Sequence, residues 1–179
     1  LLSGGIDSEV VLRSFVEAGI PIRAYIGRMA HDYNLHDYCY AVIACESLNV
    51  PYTFIDYDFE KVMDTKAEYY AELSQCFSPQ LVAVMYLIDQ IDDYPVIGGG
   101  DCVLSRNYGQ DWFLVERERV VSWYKYLFAS QRSGCPGFFQ YTPEIIAAYL
   151  SDPFIQNQLR AEQNLCSKSF KFDFYSQHF

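Results

Sequence analysis

The chain has 179 residues, of which 51% are hydrophobic, and its 13 Lys and Arg against 23 Asp and Glu give a formal net charge of −10. That length fits one domain with at most an appendage, and the acidity argues against broad electrostatic binding to nucleic acid. No run of about 18 apolar residues could span a membrane, and no basic stretch leads into an apolar one as in a signal peptide, so a cytoplasmic chain is expected.

Leu1 and Leu2 read as the end of a strand. The start at Leu rather than Met, and a C-terminal "FDFYSQHF" without an obvious stop, lead us to expect further residues at both ends. Residues 7–18 show helical spacing, with Val10, Val11, Phe15 and Ala18 on one side and Gly19 and Pro21 as the stop. A strand is expected over 22–27, a helix over 34–48, a turn at Asn49-Val50-Pro51 and a strand over 52–57. This β-α-β-α-β order within about sixty residues is the signature of a parallel sheet with crossover helices.

Ser78 as N-cap and Pro79 at the first helical position open a helix through "QLVAVMYLIDQI". A short strand over 94–97 then runs into Gly98-Gly99-Gly100-Asp101. From Trp112 onward the chain is aromatic-rich. "VVSWYKYLF" places Val120, Trp123, Tyr124, Leu127 and Phe128 at helical spacing, "RSGCPGF" over 132–138 is a loop, and Thr142 and Pro143 open a further helix, "TPEIIAAYL". We therefore expect an α/β core over 1–110 and a mainly helical extension over 111–179 packed on it. The six cysteines, Cys39, Cys45, Cys76, Cys102, Cys135 and Cys166, stand singly with no CxxC pair, and most are expected as buried thiols.

The stretch "LLSGGIDSEVVL" sits between the first strand and the first helix. A turn that only reverses the chain needs one glycine. Two adjacent glycines let the backbone approach a bulky ligand and aim several N–H groups one way, at the sheet edge and helix N-terminus where phosphates bind. The stretch matches neither GxxxxGK[ST] nor GxGxxG. Ser3-Gly4-Gly5-Ile6-Asp7-Ser8 instead resembles the SGGxDS pyrophosphate loop of the PP-loop, or N-type, ATP pyrophosphatases, which include asparagine, argininosuccinate, GMP and NAD synthetases and several tRNA-modifying ligases.

The resemblance implies a Rossmann-like, adenine nucleotide alpha hydrolase-like sheet that uses ATP and Mg²⁺. Ser3, Gly4, Gly5 and Ser8 would hydrogen-bond the pyrophosphate, and Asp7 would help hold magnesium, a hard cation that takes oxygen ligands. In asparagine-synthetase-like members a later strand ends in GxGxDE. Here Gly98, Gly99, Gly100 and Asp101 follow that form, with Asp101 as a second metal ligand and Cys102 where the family has Glu. The same resemblance puts adenine near the end of the second strand, at the backbone of Tyr25, Ile26 and Gly27. It also calls for a lysine from the C-terminal part, with Lys168 and Lys171 as candidates and Arg106, Arg117 and Arg119 as rivals.

"HDYNLHD" invites a metal reading through His31, Asp32, His36 and Asp37, but residues five apart on a helix diverge by about 140°. A loop leading into the helix is the preferred reading. The activity implied is an ATP-dependent, amidotransferase-like ligase that adenylates a carboxyl or amide oxygen of a small-molecule acceptor, releases pyrophosphate and passes the product to an amine or to ammonia from a partner. Two other readings stand beside it: a nucleobase- or tRNA-modifying PP-loop enzyme, and an ATP-binding module without turnover.

Overall fold

Short apolar runs alternate with longer amphipathic ones through the first half of the chain, and the backbone follows that alternation. The structure is a computed structural model that describes residues 1–75, 78–92, 94–96, 103–105, 113–115, 126, 129–130, 143–160 and 167–178. Contacts divide the chain into two units, Leu1–Gly98 with Val121–Gly134, and Gly99–Val120 with Cys135–Phe179.

In the first unit Leu2 bridges Ile26 in parallel, its N–H donating to the Tyr25 carbonyl at 2.8 Å. Helix α1 (Ile6–Glu17) follows the Gly-rich turn. Gly19, at φ +67°, closes it, with Gly19 N–H on the Val16 carbonyl and Ile20 N–H on that of Phe15, a Schellman ending that glycine adopts without strain. Strand β1 (Ala24–Met29) and helix α2 (Leu35–Ser47) are joined by a 3₁₀ turn over Ala30–Asp32. Strand β2 (Tyr52–Tyr57) pairs in parallel with β1, from Ala24 opposite Tyr52 to Met29 opposite Tyr57. Helices α3 (Phe59–Ser74) and α4 (Pro79–Asp89) complete the order, with Ser78 as the N-cap residue of α4 and Pro79 in its first turn. The protein is thus mixed α/β, with a two-stranded parallel sheet and crossover helices.

The sheet is covered on both faces because its side chains alternate. Ala24 and Ile26 pack with Leu2, Leu12, Ala41, Ala44 and Cys45 from the α1 and α2 side. On the other face Tyr57 joins Val62 and Tyr70 of α3, Val82, Met85 and Leu87 of α4, and Tyr126. At Gly27 the side-chain space is filled by Leu87, whose Cδ1 lies 2.8 Å from where a Cβ would stand.

Several expectations change. The buried positions of α1 are Ser8 and Leu12, with Val16 packed beside them, rather than the Val10, Val11, Phe15 and Ala18 side. The Ser8 hydroxyl bonds described below fix the helix rotation and bring a polar residue inward. β1 starts two residues late and runs on to Met29, held there by Arg28–Asp56 and Asn34 contacts. Helix α3 was not anticipated; Asp58 caps it, accepting the Lys61 N–H at 3.1 Å. Tyr94–Val96 is not in a strand, and Pro95 has no N–H to give to a ladder, although the Leu1 nitrogen donates to the Val96 carbonyl at 2.7 Å. Cys45 is buried as expected, whereas Cys39 is exposed.

In the second unit, strands β3 (Val103–Ser105) and β4 (Phe113–Val115) pair antiparallel, Val103 opposite Val115, so the chain beyond residue 110 includes a strand among its helices. Helices α5 (Pro143–Ser151), α6 (Pro153–Arg160) and α7 (Ser167–His178) gather around Ile155 and Phe170. Asp152 organises the α5–α6 corner: its Oδ1 accepts the N–H groups of Phe154 and Ile155 at 2.8 and 3.2 Å, and its Oδ2 lies 3.2 Å from His178 Nε2. Of the stretch expected as a helix around Trp123, Tyr126 is described and helical; the loop over 132–138 lies outside the described residues. No helix among the described residues is long and apolar enough to cross a membrane.

Candidate functional site

At Ser3 the chain leaves the edge of β1 and turns through Gly4 and Gly5 into α1. Ser8 ties the turn together from the first helical turn: its Oγ accepts the Ser3 N–H at 3.2 Å, donates to the Gly5 carbonyl at 2.8 Å and lies 3.1 Å from Ser3 Oγ. The Gly5 carbonyl also accepts the N–H groups of Ser8 and Glu9 at 3.1 and 3.2 Å. Gly5 is the N-cap residue, with no side-chain cap bond, and Asp7 and Glu9 lie in the first turn. Gly4 has φ +78°, and a Cβ there would overlap the Asp37 carbonyl oxygen at the start of α2.

This loop suits an anion. Ser3 and Gly5 are exposed, and the N-terminus of α1, where anions are favoured, opens from the same turn with Asp7 in its first turn. Ser3, Gly4, Gly5, Asp7 and Ser8 all lie in this turn and the helical turn that follows it, with buried Ser8 tying the turn together. Gly98, Gly99, Gly100, Asp101 and the Cys102 substitution lie outside the described residues, as do Arg106, Arg117 and Arg119. Lys168 and Lys171 fall on α7 in the other unit, with side chains outside the described set. Ile26 is 1% exposed, its side chain in the core and its backbone between Leu2 and Phe54.

Beyond the C-terminal ends of β1 and β2 opens a cavity of about 420 Å³ lined by Arg28, Met29, Ala30, His31, Asp32, Asp56, Tyr57 and Asp58. Its position is the ligand-bearing edge of a parallel sheet. His31 and Asp32 both adopt left-handed backbone, φ +58° and +56°, where non-glycine residues are uncommon. The Tyr38 hydroxyl donates to Asp32 at 2.8 Å. Thus "HDYNLHD" runs from a 3₁₀ turn at His31 and Asp32 through Tyr33 and Asn34 into α2, so that only its first half is the expected entry loop and His36 and Asp37 are helical; among the described residues no group of three or more His, Cys, Asp or Glu side chains could hold a metal ion.

Two contacts at this edge were not foreseen. Asn34 donates Nδ2–H to the Gly27 carbonyl at 2.9 Å and accepts the Met29 N–H on Oδ1 at 2.8 Å. Arg28 grips Asp56 with two N–H groups at 2.6 and 3.0 Å, while its guanidinium lies 4.5 Å from the Phe54 ring centre. The cross-strand positions Arg28 and Asp56 give a signal only once β1 and β2 are paired in this register.

The hydrogen bond from Arg28 holds the Asp56 carboxyl below its ordinary range, and the Asp56 contact raises Arg28. A carboxylate depressed in the folded state stabilises above its unfolded value and loses that contribution as pH falls through the folded one. Asp56→Asn is expected to lose this small, solvent-screened contribution above about pH 4 and to converge on the native protein as pH falls, so that its acid limb is flatter. Thermal melts from pH 5 to pH 2 check this; parallel curves for both proteins would refute it.

Comparison with known proteins gives no matching family model and no matching curated protein.

Proposed function

We propose that this chain is the nucleotide-binding part of a PP-loop ATP pyrophosphatase, built on a Rossmann-like sheet and forming AMP and pyrophosphate. One observation carries the reading: the Ser3–Ser8 stretch leaves a parallel strand position, turns through Gly4 at φ +78° and opens a twelve-residue helix. The fold supports it by placing a cavity beyond the same ends of the strands.

In this reading the Gly4 N–H and the exposed Ser3 hydroxyl hold the β- and γ-phosphates as the leaving group, while the Ser8 hydroxyl, donating to the Gly5 carbonyl, holds the loop in shape. Asp7 holds Mg²⁺, which neutralises charge on the departing pyrophosphate. An acceptor carboxyl or amide oxygen attacks the α-phosphorus and expels pyrophosphate, and an amine or ammonia, delivered by a partner, then attacks the carbon of the resulting adenylate and displaces AMP. The acceptor is a small molecule, nucleic acid is not required, and the compartment is cytoplasmic.

The test is incubation with Mg²⁺, ATP labelled at the α-phosphate and a pool of amino acids and amines. AMP with pyrophosphate is the expected result; ADP with phosphate, or no turnover, would overturn it. Asp7→Asn should weaken Mg·ATP binding about 10- to 150-fold, the worth of one charged contact of about 1.5–3 kcal/mol, in a chain that still folds. Full affinity in that variant would remove Asp7 from the site.

A further inference from the structure

We infer that Asn34 is a positioning residue for the pyrophosphate loop: its side chain takes the place in the sheet that Gly4 vacates, and so leaves the Gly4 N–H available to an anion. The inference rests on the proposed function for its ligand and on backbone geometry for the rest.

In a parallel ladder, a residue's N–H donates to one strand neighbour and its carbonyl accepts from the residue two further along. Leu2 occupies such a position, its N–H on the Tyr25 carbonyl and its bridge partner Ile26. Two residues on, the same pattern would send the Gly4 N–H to the Gly27 carbonyl and the Met29 N–H to the Gly4 carbonyl. Those two β1 groups are instead met by Asn34, whose Nδ2 donates to the Gly27 carbonyl at 2.9 Å and whose Oδ1 accepts the Met29 N–H at 2.8 Å. A carboxamide carries a donor and an acceptor in one plane, and asparagine supplies from a single side chain the donor and the acceptor that residue 4 would give from the two peptides flanking it.

The consequence concerns the loop. Polar backbone at the end of a half-buried strand needs partners, and without Asn34 the nearest peptide with the right polarity is Gly4. The protein satisfies β1 with a side chain from α2, and the main chain at Gly4 turns away at φ +78° against the Asp37 carbonyl. Among the described residues Gly4 N–H has no acceptor, which is the state an anion-binding loop requires before its ligand arrives. Asn34 and Asp37 lie at the start of the same helix, so α2 both replaces Gly4 in the sheet and presses on it from the other side.

Two variants of the full chain test this. Asn34→Leu removes donor and acceptor at similar size; Asn34→Asp keeps the acceptor for Met29 and loses the donor for Gly27. The readouts are Mg·pyrophosphate affinity by calorimetry, site-resolved amide exchange at Gly4 and Met29, and the melting temperature. We expect both variants to fold, to bind pyrophosphate at least about tenfold more weakly, and to show Gly4 N–H newly protected without ligand as it returns to the Gly27 carbonyl. Met29 exchange should stay slow in both variants, with the returning Gly4 carbonyl as its acceptor in Asn34→Leu and the carboxylate in Asn34→Asp. Unchanged Gly4 exchange in both variants would overturn the inference. A native chain that binds no pyrophosphate would overturn the proposed function and the ligand half of this inference, whereas the Gly4 exchange result judges the ladder substitution by itself.

Discussion

Asp89→Ala is expected to lower stability by about 3 kcal/mol and the melting temperature by about 6–12 °C. Asp89 ends α4, and its two carboxylate oxygens accept the hydroxyls of Tyr70, at 2.6 Å, and Tyr126, at 2.5 Å. Both tyrosines are buried, at 3% and 0% exposure, with ring centres 6.3 Å apart. Burial first, then the bond to Asp89, raises the Tyr70 hydroxyl far above its ordinary value, so it stays a neutral donor. Truncating the acid leaves two buried hydroxyls without these acceptors, at about 1–3 kcal/mol for each group left unsatisfied. Asp89→Asn retains one acceptor oxygen and should lose less than half as much. Tyr70→Phe made in the Asp89→Ala background should then lose little more, because the hydroxyl it removes already lacks its partner. An Asp89→Ala melt within about 2 °C of the native protein would show that the three side chains do not hold α3, α4 and residue 126 together.

That acid illustrates where sequence reading stops. In "YLIDQI" it has the look of a solvated residue at a helix end, and only the approach of Tyr70 and Tyr126 from 19 and 37 residues away makes it a buried hub. The elements themselves were legible where local signals were strong: the turns at Gly19 and Asn49, Pro79 at a helix start, and the alternation that sets β2 after α2. Helix α3 escaped because its inward residues, Val62, Ala67, Tyr70 and Ser74, are spread thinly among charges. Its Asp58 cap was nevertheless present in the sequence. The rotation of α1 was hidden for another reason: an apolar stripe shows which face prefers the core, whereas Ser8 is turned inward by its bonds to Ser3 and Gly5. The loop motif was readable in six consecutive letters. What was not readable was its support, because Asn34 meets β1 through backbone groups that carry no side-chain identity at all.

The two glycines of that loop do different work, and Gly4→Ala and Gly5→Ala should separate the two roles. At Gly4 the requirement comes from the protein. Its φ of +78° disfavours any L side chain, and an added Cβ would overlap the Asp37 carbonyl oxygen and lie 2.7 Å from the carbonyl carbon, both backbone atoms at the start of α2 that cannot swing aside. Left-handed strain of about 1–3 kcal/mol adds to whatever movement relieves the overlap, so Gly4→Ala should destabilise by at least about 2 kcal/mol and abolish pyrophosphate binding as the loop shifts. Gly5 has φ −82° and ψ +154°, an ordinary extended conformation, and its nearest neighbour to an added Cβ is Ser3 Oγ at 3.6 Å. Nothing in the protein requires glycine there beyond its mild preference as a helix cap, so Gly5→Ala should cost less than about 1 kcal/mol. If a phosphate lies against the loop, a methyl group at Gly5 stands where the ligand must approach, and binding falls although folding does not. Melting curves and pyrophosphate calorimetry on both variants decide the matter. A folded Gly5→Ala protein that has lost binding places the ligand on the loop, and one that binds as the native chain does would put the anion elsewhere and remove the chief support for the proposed activity.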